Sequence, residues 1–192
     1  MKKLLLILLL PITGLAQNTN GSIEKMMIKK ESQLGFAQDP QGQQVQLTSF
    51  NTGANPYYAY FGHGEYDSEN NFYLKVKAPT DSDIVFNLID NRNNKIVRSV
   101  YIKKSEEVSI EWINSGIYDY SYISGLDWWS ELEINNGIKG GFIRNQSFHK
   151  NRYNEDQLEY EEGYTGGYEI TLTAVINGNL DTREVNQSTF FY

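Results

Sequence analysis

From residue 72 onward, apolar and polar residues alternate with a period of two. The longest example is Val108–Ser124. Val108, Ile110 and Trp112 alternate with Ser109, Glu111 and Ile113; Tyr118, Tyr120 and Tyr122 alternate with Asp119 and Ser121. Such a period puts each set on one face of a pleated strand, so the stretch predicts strand, tight turn, strand. Gly116 ends the turn Asn114-Ser115-Gly116 and supplies the positive φ that such turns often need.

The same reading extends to both sides. Phe72, Leu74 and Val76 alternate with Tyr73, Lys75 and Lys77, a half-buried strand that Pro79 ends. Asp83–Asp90 is apolar on both faces, which predicts an interior strand. Asp90-Asn91-Arg92-Asn93-Asn94 is turn chemistry, and Lys95–Lys103 completes a hairpin. The central strand is expected to close at Gly125–Trp129. Asn136-Gly137 and Gly140-Gly141 then read as two turns, with a short strand at Ile143–Phe148. Lys150–Asp156 reads as a surface loop. Gly167–Ile176 is the clearest long strand, and Asn177-Gly178 turns it back into Leu180–Val185. Phe190-Phe191-Tyr192 is expected to be packed or paired, with Thr189–Tyr192 as the candidate open edge for strand addition. About seven to nine strands and no clear helix after residue 50 predict an all-β fold: a β-sandwich, immunoglobulin-like or prealbumin-like, over residues 50–192.

The first 49 residues are different. Residues 1–16, MKKLLLILLLPITGLA, have the plan of a secretory signal peptide: Lys2 and Lys3, an apolar Leu4–Leu10, then Gly14-Leu15-Ala16 before an expected cut at Gln17. The apolar run is well short of the roughly 20 residues a membrane span needs. Residues 17–49 are polar and Gln-rich, and predict an N-terminal arm or linker. The expected protein is therefore exported, periplasmic or secreted, with no membrane span after cleavage.

Charge and composition narrow the function. The net charge is −7, and loss of Lys2 and Lys3 takes it to about −9. Such a chain repels phosphate backbones, so nucleic acid is not an expected partner. There are no cysteines, which removes disulfides, Cys-ligated zinc and thiol chemistry. Only two histidines are present, His63 and His149, both in expected loops, and there is no G-x-S-x-G. No catalytic residues are assigned. Glu155-Asp156, Glu159 and Glu161-Glu162 read as a solvated acidic face rather than a glycosidase pair. Asp67–Asn71 and Asp90–Asn94 are rich in oxygen but lack calcium-loop spacing, so turn formation explains them. No metal or cofactor is expected.

Aromatic residues carry the remaining candidate chemistry. Phe50–Asp67 packs Tyr57, Tyr58, Tyr60, Phe61 and Tyr66 among glycines and a proline. It reads either as a lid on the core or as a ligand-contacting loop. Trp128 and Trp129 are adjacent, so on a strand they face opposite ways. Tyr57, Tyr58, Tyr60, Trp128 and Trp129 are the candidate platform for a sugar ring or a protein partner.

The segments NTGANPYYAYFG, VRSVYIKK, SIEWINSGIYDYSYISGLDW, GGF and YEITLTAVINGN resemble a family of small exported proteins of Bacteroidota-type bacteria. The resemblance spans residues 50–192 and implies no catalytic residues. More distantly, I-x-W-I-N-S-G-x-Y is similar to the strand–turn–strand signature of transthyretin-like, or carboxypeptidase-regulatory-like, sandwiches. Here Asn114-Ser115 stands where those modules carry a turn proline. The expectation is a non-catalytic binding or structural module of the cell envelope, contacting glycan or an envelope protein. A secreted hydrolase is the alternative, and nothing in the sequence sets an oligomeric state.

Overall fold

The computed structural model describes residues 32–151, 156–172 and 182–191. Its strands are β1 (Ser32–Gln38), β2 (Gln44–Ser49), β3 (Phe72–Lys77), β4 (Asp83–Asp90), β5 (Lys95–Ile102) and β6 (Glu107–Glu111). They continue with β7 (Gly116–Asn135), β8 (Ile138–Asn151), β9 (Leu158–Tyr160), β10 (Gly166–Thr171) and β11 (Thr182–Glu184). A four-residue helix, α1 (Tyr58–Phe61), and a 3-10 turn at Gln187–Thr189 complete the described elements.

The protein is an all-β sandwich. Strand β4, apolar on both faces, lies inside the larger sheet, whose order is β11-β8-β7-β4-β5, with β9 paired to the start of β7. One face of β4 and β7 presents Ile84, Phe86, Leu88, Tyr118, Tyr120 and Tyr122. These pack on Leu74, Val76, Ile110 and Ile170 of the smaller sheet, β10-β3-β6. The opposite face, with Val85, Tyr101, Ile123 and Phe148, is covered by Phe50, Ala54, Tyr57 and Phe190. Burying a side chain of this size contributes roughly 1.5–3 kcal/mol, so both layers are needed to hold β4 in place.

The alternation in β3 is realised as read: Phe72, Leu74 and Val76 are buried, and Tyr73 and Lys77 are exposed. The β4–β5 hairpin also forms, with Ile84 opposite Ile102 and Asp90 opposite Lys95. The stretch 108–124 differs from the expected hairpin. Strand β6 pairs with β3, while β7 pairs with β4, β8 and β9, so residues 112–115 cross from one sheet to the other. Of the residues expected as a polar arm, 32–49 form an antiparallel hairpin whose Val45 and Leu47 are buried. Residues 1–31, with the expected signal peptide, lie outside the described ones.

Gly140-Gly141 is not a turn. Both residues lie within β8, and only Asn136-Gly137 turns the chain. The glycines make room: a Cβ on Gly140, whose φ is 110°, would sit 2.7 Å from Cζ2 of Trp128, and one on Gly141 would overlap Ile134. Gly140→Ala is expected to destabilise the fold by about 1–3 kcal/mol through overpacking and backbone strain. A denaturant midpoint unchanged from wild type would contradict this packing.

Lys150 and Asn151, expected in a surface loop, are buried at the end of β8. The reason is Asp119, a buried carboxylate in β7. It accepts from Asn91 (2.7 Å), Asn151 (2.9 Å) and Gln157 (3.1 Å), which ties three segments to β7. The C-terminal segment is not an open edge either. Gln187–Thr189 coils into a 3-10 turn, and Phe190 is buried against Phe148 at 5.2 Å between rings. The end of the expected strand Gly167–Ile176, the expected turn Asn177-Gly178 and Tyr192 lie outside the described residues, and Thr182–Glu184 of the expected return strand pairs with β8 rather than with β10. No helix among those described is long and apolar enough to cross a membrane.

Candidate functional site

The five aromatics singled out in the sequence do not share one surface. Tyr57 is buried, and its hydroxyl donates to the Gly140 carbonyl at 2.7 Å. Burial, then the neighbouring Tyr60, pushes its phenol well above the usual range. Trp128 is 2% exposed and meets Tyr57 edge-on at 5.8 Å. These two rings belong to the core, and the 50–64 loop is its lid. Tyr58 and Tyr60 are exposed on α1. Tyr58 lies against His63, with 2.6 Å between its hydroxyl and Nε2, and Tyr60 accepts the Lys139 amide N–H at 2.9 Å. Trp129 is half-buried. Period two places Trp128 with Tyr118, Tyr120 and Tyr122. A register shift between Ser124 and Leu126, with Asp127 at φ 62°, moves it to the other face.

Exposed aromatics instead gather on the outer face of the smaller sheet. Tyr73 points outward from β3, opposite Glu111 on β6. One row on, Lys75 stands between Ser109 of β6 and Glu169 of β10, and its ammonium is 3.0 Å from Glu169. Trp112 follows β6 and is 39% exposed. Alternation alone would turn it inward beside Ile110. Its backbone takes φ 57°, which swings the indole outward and lets Ile113 fill the core. A left-handed conformation costs a bulky residue roughly 1–2 kcal/mol, so something must hold it. The Trp112 carbonyl accepts from the Asp67 N–H at 3.0 Å and from Nη2 of Arg98 at 3.1 Å. Arg98 is itself buried, donates to the Val97 carbonyl, and lies 3.6 Å from the centre of the Tyr66 ring. Burial lowers its pKa.

Trp112, Tyr73, Lys75, Ser109, Glu111 and Asn71 line a groove of about 300 Å³. A second groove, of about 410 Å³, is lined by Tyr164, Tyr168, Glu159, Glu161 and the Gly166-Gly167 backbone. Phe72 lines both. Tyr164 is 70% exposed; Tyr168 is held by its hydroxyl against the backbone of Glu159. Sequence reading missed Trp112 because its direction is set by a backbone break without glycine. It passed over Tyr73 as an ordinary strand residue, although alternation had already placed it on the solvent face.

Other candidate chemistry is mostly accounted for by structure. Asp67 accepts from the Glu69 N–H and from Asn70, and Asp90 is gripped by Arg92, whose hydrogen bonds hold its carboxyl below the usual range. Among the described residues no cluster of three His, Cys, Asp or Glu is placed to hold a metal. His149 lies in β8 rather than in a loop, stacked on Tyr122 at 4.6 Å. Its Nε2 is 2.9 Å from Ser147 Oγ, which in turn is 2.7 Å from Ser124 Oγ. Glu184 stands opposite His149 on β11.

Burial lowers the His149 pKa from its ordinary 6.5, and Glu184 opposes that shift. Between the depressed folded value and the unfolded one, the unfolded chain binds more protons. The contribution of His149 is therefore fully present above pH 6.5 and lost as pH falls below it. His149→Gln is expected to remove that slope from stability measured by denaturant titration. An unchanged slope would show that His149 is not desolvated.

Comparison of the chain with family models, with curated proteins and with solved structures finds no match.

Proposed function

We propose that the protein is a non-catalytic glycan-binding module of the cell envelope or exterior, and that it binds through the groove between Tyr73 and Trp112. The observation that carries this reading is Trp112, a bulky side chain held outward in a left-handed conformation by a buried arginine. Strain of this kind persists where the surroundings impose it, and it concentrates at functional sites. The chemistry of the groove favours sugar over protein. Two rings offer flat apolar faces, while Asn71, Ser109, Lys75 and Glu111 set hydrogen-bonding groups among them. A protein contact would favour a drier, apolar centre. Export rests on the residue pattern of 1–16.

The test is retention on insoluble β-glucan and chitin. Wild type is expected to be retained, and a protein carrying Tyr73→Ser and Trp112→Ser is expected to pass through folded. Equal behaviour of the two proteins would overturn the reading. The alternative, a secreted hydrolase, draws on the Ser147–His149 contact. It ranks second because, among the described residues, no carboxylate is shown hydrogen-bonded to that imidazole to orient it as a catalytic base.

A further inference from the structure

We infer that the groove between Tyr73 and Trp112 selects an amino sugar, a glycan whose rings carry protonated amines, and that Glu111 is the residue that selects it. This rests on the glycan reading above and specifies the ligand class of the same groove.

Strand geometry puts a carboxylate beside both rings. Tyr73 and Glu111 are cross-strand partners on the outer face of β3 and β6, where the Cβ atoms of such a pair lie about 4.5–5.5 Å apart. In a regular strand the next residue, Trp112, would face the other way. Its φ of 57° turns it outward instead, so two consecutive side chains, Glu111 and Trp112, line one groove with Tyr73. On the other side of Tyr73 stands Gly167, which has no side chain, so Glu111 is the one charged neighbour in the Tyr73 row.

Charge sets the ligand class. Among the described residues no lysine or arginine pairs with Glu111. The cation lining the groove, Lys75, is already committed: Glu169 holds it at 3.0 Å, and Glu107 is the next carboxylate that acts on it. A ligand therefore meets a compensated cation and an uncompensated carboxylate. Uronates and sulfates are repelled by Glu111, while neutral rings stack and donate their hydroxyls to it. An ammonium on the ring adds a charge-assisted hydrogen bond to Glu111 and the attraction of a cation to the faces of Tyr73 and Trp112. Acetylation of that amine removes both gains.

The experiment is calorimetric titration with the β-linked trisaccharides of glucose, N-acetylglucosamine and glucosamine, and with trigalacturonate as the anionic probe, in low salt at a pH where the glucosamine amines are charged. Wild type is expected to bind the two neutral trimers and to hold the glucosamine trimer about threefold to fivefold more tightly, the gain of one favourable ion pair. The margin should shrink as salt is raised. Glu111→Gln should abolish it and leave the neutral trimers bound. Glu162→Gln, an equal change of charge at an exposed residue outside the groove, should keep it. Trp112→Ala should weaken all three sugars. If the neutral trimers bind but the glucosamine trimer has no advantage, or if Glu111→Gln keeps that advantage or Glu162→Gln removes it as fully, the amine class is overturned and the glycan reading stands alone. Trigalacturonate binding as tightly as the glucosamine trimer would also overturn the class. No binding of any trimer would overturn both readings.

Discussion

Trp112→Gly is expected to cost glycan affinity about 30-fold or more, and at the same time to leave the fold as stable as wild type or up to about 1 kcal/mol more stable. The two effects have separate causes. Loss of a stacked indole at the centre of a groove removes on the order of 2 kcal/mol of binding. The backbone, meanwhile, sits at φ 57°, where glycine avoids roughly 1–2 kcal/mol of strain and gives back about 0.5–1 kcal/mol in chain entropy. Trp112→Ala separates the two: it should bind as poorly as the glycine variant but be less stable than it. Calorimetric titration and urea unfolding of the three proteins check both arms. A glycine variant that binds as wild type would remove Trp112 from the site. One less stable than the alanine variant would mean that the conformation is not strained.

Trp128→Ala is expected to destabilise the protein by about 3–5 kcal/mol, the range for deleting a large buried aromatic. Its indole lies between Phe142 at 5.1 Å, Phe50 and Tyr57 at 5.8 Å and Tyr101 at 5.9 Å, and it rests over Gly140. It joins the β7–β8 hairpin, the 50–64 loop and β5, so a cavity there loosens all three. Domains are stable by about 5–15 kcal/mol, which makes this a large share of the total. Trp128→Phe should cost much less. Among the described residues the buried indole N–H has no hydrogen-bond partner, and its removal offsets part of the lost volume. Trp129→Ala, at a half-buried position, should fall well below Trp128→Ala. Urea unfolding orders the three, and a Trp129→Ala loss as large as that of Trp128→Ala would contradict the packing described.

The fold was legible wherever the chain keeps strict alternation. Strand β3 follows the sequence residue by residue, and the β4–β5 hairpin does so from Arg98 to Ile102; a register shift at Leu88–Ile89 then puts Val97 in the layer of Val100 and Ile102 rather than with Tyr101. It was illegible where one residue breaks the period. Trp112 at φ 57° and Asp127 at φ 62° are not glycines, so nothing in their identity marks the break. Each break moves the following side chains to the other face of the sheet: Trp112 turns outward, and Trp128 passes from the buried layer of Tyr118, Tyr120 and Tyr122 to that of Val85 and Ile123. Gly140-Gly141 was misread for the converse reason: glycine marks close approach as often as a turn, and here the approaching group is an indole from the paired strand. Sequence reading offered exposed aromatics as the candidate means of binding. Their place depended on the sheet face, and Tyr73 could have been named from its alternation alone.

The most direct measurement is acrylamide quenching of Trp129→Phe protein, with and without cellohexaose and N-acetylchitohexaose. That variant keeps one exposed indole, Trp112, and one shielded in the core, Trp128. The account predicts a freely quenched component in the absence of sugar that becomes shielded and blue-shifted when one of the two chains binds. A chain that binds by calorimetry while Trp112 stays freely quenched would contradict it.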